Sequence, residues 1–179
     1  MSSSPRLDMS KARALIVDDN AKSLEVMLQI LVGFGFREIQ KCRSVADARN
    51  LVSSQSYDIL FLDDEMMSEN GIDFTRFIRS KPRLPNFTAP IVIVSGYTPE
   101  RMVLGARDAG ANIVVAKPIA IGTLMARIEW IARGDRAFVM SDTYNGPDRR
   151  SKNLPPPEET GDRRAPIEGT DGETPSDQD

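Results

Sequence analysis

The sequence predicts an α/β fold: a doubly wound, five-stranded parallel sheet covered by five helices. Three observations predict it. Short apolar, β-branched runs alternate with longer stretches whose apolar residues recur at helical spacing. Gly, Pro and N-capping residues punctuate the junctions. Most of the apolar runs end abruptly on acid, hydroxyl or lysine, as strands do where they deliver side chains to the edge of a parallel sheet.

The elements follow in order. Ala14–Val17 is a short strand ending at Asp18 and Asp19. Asn20 caps a first helix that carries Leu24, Met27, Leu28 and Leu31 on one face and stops at Gly33-Phe34-Gly35. Glu38–Cys42 is the second strand. Ser44, with Asp47 three residues on, opens the second helix in the manner of a capping box. Asp58–Leu62 is the third strand, running into Asp63, Asp64 and Glu65. Gly71–Ser80 is the third helix, followed by a Pro-rich loop. Ile91–Ser95 is a nearly all-β-branched fourth strand. Thr98 as N-cap and Pro99 as first residue open a fourth helix that ends near Gly110. Asn112–Ala116 is the fifth strand, and Ile121–Arg133 a last amphipathic helix. Strand-helix repetition of this kind gives parallel pairing through right-handed crossovers.

Composition bounds the function. The chain of 179 residues is 40% hydrophobic with a net charge of −3, which implies no strong attraction to nucleic acid or anionic membrane. It contains no histidine, so imidazole triads, histidine-ligated zinc and a phosphohistidine of its own are excluded. The single cysteine, Cys42, forms no internal disulfide, and there is no apolar signal segment or spanning run; a cytoplasmic location without membrane insertion is expected. Residues 1–10 are expected to be disordered, 11–135 to form the domain, and 136–179 to be a mostly disordered tail rich in Pro, Gly and charge.

Sites in such sheets lie beyond the carboxyl ends of the strands. That edge gathers Asp18 and Asp19, then Asp63, Asp64 and Glu65, then Ser95 and Gly96, then Lys117 and Pro118. Carboxylates without imidazole or thiol suit a hard cation, magnesium or manganese, that bridges to phosphate. A carboxylate there can attack a phosphoryl group, with lysine and hydroxyl neutralising the charge that develops.

The order Asp-Asp, Asp, Ser, Lys-Pro after successive strands resembles the receiver domain of two-component response regulators, over about Lys11 to Arg133. The resemblance implies a flavodoxin-like sheet of order 2-1-3-4-5, resembling the chemotaxis regulators. It implies Asp63 as phosphoacceptor, with Gly71 at the family's usual distance beyond it. By the same resemblance Asp18, Asp19, Asp63 and the backbone carbonyl of Glu65 hold magnesium. Ser95, Gly96 and Lys117 bind the phosphoryl group and switch, and Pro118 follows a cis peptide bond. Glu65 and Tyr97 flank the phosphoryl group and set its lifetime. Two positions depart from the pattern. Met67 stands where proline is usual, and Val114 where many members carry the aromatic residue that moves with the hydroxyl; Tyr97 is the candidate replacement.

The implied function is a stand-alone regulator that takes phosphoryl from a histidine kinase or phosphotransfer protein and switches protein–protein contacts. Output runs through the fourth helix, fifth strand and fifth helix, or through the tail, without direct DNA binding. A phosphate sink and a degenerate scaffold are the rival readings within the family. A haloacid-dehalogenase-type phosphatase is the enzyme rival, disfavoured because Glu65 stands where its second aspartate belongs and because the acidic pair comes first. Asp64 is expected to be solvated, Cys42 and Trp130 to pack, and Met66 and Met67 to pack in their loop. In the tail, Asp-Arg-Arg occurs twice, giving Arg149, Arg150, Arg163 and Arg164 as candidate anion contacts beside a reading as solvated charge. From residue 141 onward ten acids face five bases, so the tail could also fold back onto a basic patch of the domain.

Overall fold

The computed structural model describes residues 7–134 and 136–149. Five parallel strands, β1 (Arg13–Val17), β2 (Glu38–Cys42), β3 (Ile59–Asp63), β4 (Ile91–Ser95) and β5 (Ile113–Ala116), lie in the order β2-β1-β3-β4-β5. Five helices connect and cover them: α1 (Ala21–Gly33), α2 (Val45–Ser54), α3 (Gly71–Arg79), α4 (Glu100–Ala109) and α5 (Ile121–Ala132).

Because strand side chains alternate, each strand feeds two cores. Leu15, Val17, Leu60, Leu62, Ile91 and Ile93 face Val45, Phe74, Ile78 and Ala106 on the side of α2, α3 and α4. Ile16, Phe61, Val92, Val94 and Val115 face Leu24, Leu31, Leu124 and Ile128 on the side of α1 and α5. β1 has β2 on one side and β3 on the other, so the chain reverses its winding between β1 and β3. Crossovers leaving in opposite directions open a crevice at the carboxyl ends of those two strands.

Local signals set most boundaries. Asn20 Oδ1 accepts from the amides of Lys22 and Ser23, Ser44 Oγ from Asp47, and Asn70 Oδ1 from Asp73. Gly110, at φ +95°, ends α4 in the left-handed region. The start of α4 differs from expectation: Pro99 is the N-cap with extended ψ, and no side chain among the described residues caps the helix. The Thr98 hydroxyl therefore does not do the capping that the sequence suggested.

The largest correction concerns residues 136–149. Within the stretch expected to be mostly disordered, β6 (Phe138–Met140) and β7 (Asn145–Pro147) form an antiparallel hairpin. It rests on the end of the sheet remote from the crevice. Phe138 meets Phe87 edge-on at 5.2 Å and lies against the Arg79 guanidinium. Arg79 is fully buried; its guanidinium donates to the carbonyls of Phe87, Ala89 and Gly110. Burial pulls its pKa down to about 10, which leaves it protonated at neutral pH. Asn145 Nδ2 donates to the Arg79 carbonyl at 3.1 Å. Gly110 and Gly146 touch backbone to backbone: a Cβ on Gly146 would lie 2.7 Å from the Gly110 Cα. Tyr144 donates to the Pro147 carbonyl, and the Arg149 guanidinium stacks on its ring at 3.6 Å. Residues 151–179, and with them Arg163 and Arg164, lie outside the described residues, as does Arg150.

Candidate functional site

The crevice holds four of the residues singled out from the sequence, Asp18, Asp19, Asp63 and Lys117. Asp63 is the last residue of β3, and its side chain is 5% exposed. Asp18 follows β1 and is equally buried, while Asp19 beside it is half-buried. One carboxylate oxygen from each of Asp18, Asp19 and Asp63 lies within 4.8 Å of the others.

Each carboxylate is held from its own side. Asp63 Oδ1 accepts from Lys117 Nζ at 2.5 Å, and its Oδ2 from the Glu65 amide at 3.1 Å. Asp18 accepts from the Asn20 amide at 2.8 Å and from Lys117 at 3.2 Å. Asp19 Oδ2 accepts from the Met67 amide at 2.8 Å, which ties the loop after β3 to the loop after β1. Arg43 donates to the Asp19 carbonyl at 3.1 Å. The role of Arg43 had no signal in the sequence, because it depends on β2 lying beside β1.

The electrostatics are uneven. Burial, with Asp63 as a further contributor, raises the Asp18 pKa despite the Asn20 amide and Lys117. Burial also pulls on the Lys117 ammonium, but the Asp63 and Asp18 carboxylates outweigh it and hold its pKa above the usual value. The two shifts look inconsistent for one ion pair. They are reconciled by count: one ammonium serves two buried carboxylates, and Asp18 has the longer bond. The cluster is short of positive charge, built only of oxygen donors, and fits a hard divalent cation held by Asp18, Asp19 and Asp63.

Gly71 closes the site from below. A Cβ there would lie 2.5 Å from the Asp63 carbonyl oxygen, so only glycine lets α3 start this close to the Asp63 backbone. The Lys117–Pro118 peptide is cis, as the resemblance implied.

Ser95 lies at the end of β4, fully buried, but its hydroxyl points along its own loop. It donates to the Tyr97 carbonyl at 2.9 Å and accepts from the Tyr97 amide at 3.2 Å. A Cβ on Gly96 would meet nothing, so no protein atom demands glycine at that position. Tyr97 and Glu65 are exposed at the rim, and Val114 packs partly into the core. Met66 packs against the core, but Met67 is almost fully exposed, contrary to the packing expected of it. Asp64 is not solvated as expected. It is half-buried, with Oδ1 lacking a hydrogen-bond partner among the described residues, and burial together with Asp63 raises its pKa. Cys42 is buried in the core, and Trp130 is partly buried on the α1/α5 side.

Comparison with known proteins agrees with this architecture. The chain is 29% identical over 119 residues to the probable chemotaxis protein CheY of Rhizobium etli, covering 66% of this chain and 91% of that one. It is 31% identical to stress response regulator protein 1 of Meyerozyma guilliermondii, of which it spans only 51%. Among solved structures it resembles the receiver domain of the histidine kinase CKI1 from Arabidopsis thaliana, described as complexed with Mg2+ and BeF3−. That likeness has a TM-score of 0.62 and 27% identity, over 70% of this chain and 92% of that one. The family described as response regulator receiver domain matches residues 14–129, the span that builds the sheet and the acidic crevice, and the chain belongs to that family.

Proposed function

We propose that the chain is a phosphorylation-controlled switch whose phosphoacceptor is Asp63. The observation that carries this reading is a buried carboxylate at the end of β3, in contact with Lys117 at 2.5 Å and grouped with the oxygens of Asp18 and Asp19. Asp18, Asp19 and Asp63, with the Glu65 carbonyl, are the residues that would hold magnesium, or manganese in its place. Such an ion supplies charge neutralisation to the incoming phosphoryl oxygens.

The residues divide the chemistry. An Asp63 oxygen forms the new O–P bond as the P–N bond of a donor phosphohistidine, on a histidine kinase or phosphotransfer protein, breaks; the leaving imidazole takes up a proton. Lys117, already on Asp63, stays beside the charge that the phosphoryl group brings. The Ser95 hydroxyl exchanges the Tyr97 carbonyl for a phosphoryl oxygen. That exchange releases the loop from Ser95 to Tyr97, so the signal passes towards α4 through the backbone and not through an aromatic residue at Val114. Glu65 and Tyr97, exposed at the rim, govern the approach of water and hence phosphoryl lifetime. The donor docks beside the crevice, where exposed Val26 and Ile121 border a shallow cleft that also reaches Lys117 and Pro118. A reducing cytoplasm suits the single buried thiol of Cys42. No described helix is long and apolar enough to cross a membrane.

The test is mass spectrometry after incubation with magnesium and acetyl phosphate. Wild type and Asp64→Asn should gain about 80 Da, one phosphoryl group, and Asp63→Asn should gain nothing. An adduct retained in Asp63→Asn would move the acceptor elsewhere.

A further inference from the structure

The three carboxylates of the crevice are held in different ways. Lys117 Nζ serves Asp63 at 2.5 Å and Asp18 at 3.2 Å. The Asp19 carboxylate takes its hydrogen bond from backbone instead: its Oδ2 accepts from the Met67 N–H at 2.8 Å, across 48 positions of sequence. The main chain of Asp19 is fixed as well, since Arg43 Nε and Nη2 donate to its carbonyl at 3.3 and 3.1 Å. Met67 acts here through its backbone, because its side chain is 98% exposed. Proline has no N–H, so the departure from proline at this position is what supplies the donor. A companion bond lies two residues earlier, where the Glu65 N–H donates to Asp63 Oδ2 at 3.1 Å. The loop after β3 thus sends two amides to two different carboxylates of the cluster. The Glu65 carbonyl lies on the chain between those two anchors, so the segment that carries it is pinned on both sides.

What a cation requires gives these bonds their consequence. A carboxylate has about four lone-pair sites, so one N–H on Asp19 Oδ2 leaves Oδ1 and a further lone pair of Oδ2 open to an ion. Asp19 is the most exposed of the three clustered carboxylates. Repulsion from the other two favours its turning outward to water, and the Met67 N–H opposes that. A side chain that must be ordered at the moment of binding loses rotamer entropy then, whereas one already held loses less. Groups that orient a metal ligand from outside the coordination shell typically contribute about ten- to one-hundred-fold in affinity.

We propose that the Met67 N–H is a positioning group for the divalent cation: it holds the Asp19 carboxylate and the segment carrying the Glu65 carbonyl in place before binding, and so raises the affinity for magnesium. This rests on the reading of Asp18, Asp19 and Asp63 as a magnesium site.

Amide NMR of the full chain tests this, with magnesium chloride as the only ligand. Before magnesium is added, the Met67 amide should exchange with solvent more slowly in wild type than in Asp19→Ala, although its side chain is exposed. Titration followed by amide shifts around the crevice should give Met67→Ala, which keeps the N–H, the wild-type dissociation constant. Met67→Pro, which removes the N–H, should bind about tenfold or more weakly. Proline also restricts the residue before it, so a third variant carries the α-hydroxy acid analogue of methionine at position 67. That analogue replaces the N–H by an ester oxygen without adding a ring, and it should bind as weakly as Met67→Pro; should the proline variant fail to fold, the ester variant decides. Wild-type affinity in the ester variant overturns the proposal. So does an equal loss of affinity in Met67→Ala and Met67→Pro, or an unchanged Met67 exchange rate in Asp19→Ala. Wild type that binds no magnesium would bring down the metal reading itself, and this proposal with it.

Discussion

Gly71 shows how narrowly the site is set at the level of single residues. It touches no ligand, yet a methyl group there would sit 2.5 Å from the Asp63 carbonyl. Gly71→Ala should therefore cost about 1–3 kcal/mol of stability, the usual penalty of overpacking, and should slow phosphoryl uptake if Asp63 is the acceptor proposed above, because its backbone must move. Urea titration of the two proteins checks this; equal midpoints would mean that α3 shifts without cost. Cys42 gives a residue-scale prediction in pH. Burial raises its thiol pKa above the ordinary 9.0, so the folded chain holds that proton more tightly than the unfolded chain. The thiol's contribution to stability is complete below pH 9 and is lost as pH rises through the folded value. At pH 8, native protein should react with a disulfide reagent far more slowly than protein in urea. Comparable rates would place the thiol at the surface.

The hairpin is the element whose importance the sequence understated. Composition read across 136–179 averages an ordered motif with a polar tail, and strands of three residues ending on Pro147 carry almost no β signal. Its order comes instead from tertiary partners: Phe138 on Phe87, Gly146 on Gly110, and Asn145 on the Arg79 carbonyl. The Tyr-Asn-Gly-Pro-Asp-Arg stretch is thus a folded clasp in which Tyr144, Gly146 and Arg149 each have a defined contact. Ending the chain at Met140 would strip β7 and expose Phe138 and Arg79, lowering the melting temperature by about 5 °C or more. Ending it after Arg149 should leave the melting temperature nearly unchanged. A thermal melt of the two truncations decides, and equal values would show that the clasp contributes nothing.

At the scale of the whole molecule, the crevice trades stability for function. Two buried carboxylates, Asp18 and Asp63, share one lysine beside the half-buried Asp19, and the fold tolerates this because the two cores beneath are densely apolar. A cation bound only by the folded chain stabilises it by mass action, about 2.7 kcal/mol at one hundred times the dissociation constant. Saturating magnesium should thus raise the melting temperature of wild type, and Asp19→Ala should lose most of that shift. Equal shifts in both proteins would put the metal elsewhere.

The sequence alone determined the alternation of strand and helix, the capping residues Asn20 and Ser44, and the list of polar residues at the strand ends, because each depends on neighbours within a few positions. Through the order of those residues it also pointed to the sheet topology. Tertiary structure decided what each polar residue does. Asp64 follows Asp63 in the chain, yet its Oδ1 is buried without a hydrogen-bond partner among the described residues while Asp63 meets Lys117, fifty-four residues away. The Ser95 hydroxyl turns to Tyr97, Arg43 reaches Asp19 only because β2 lies beside β1, and Gly71 is needed only because α3 begins against the end of β3. Local patterns report the backbone's own preferences. Contacts across dozens of residues depend on which strands become neighbours and on what is buried between them, and they exist only once the chain has folded.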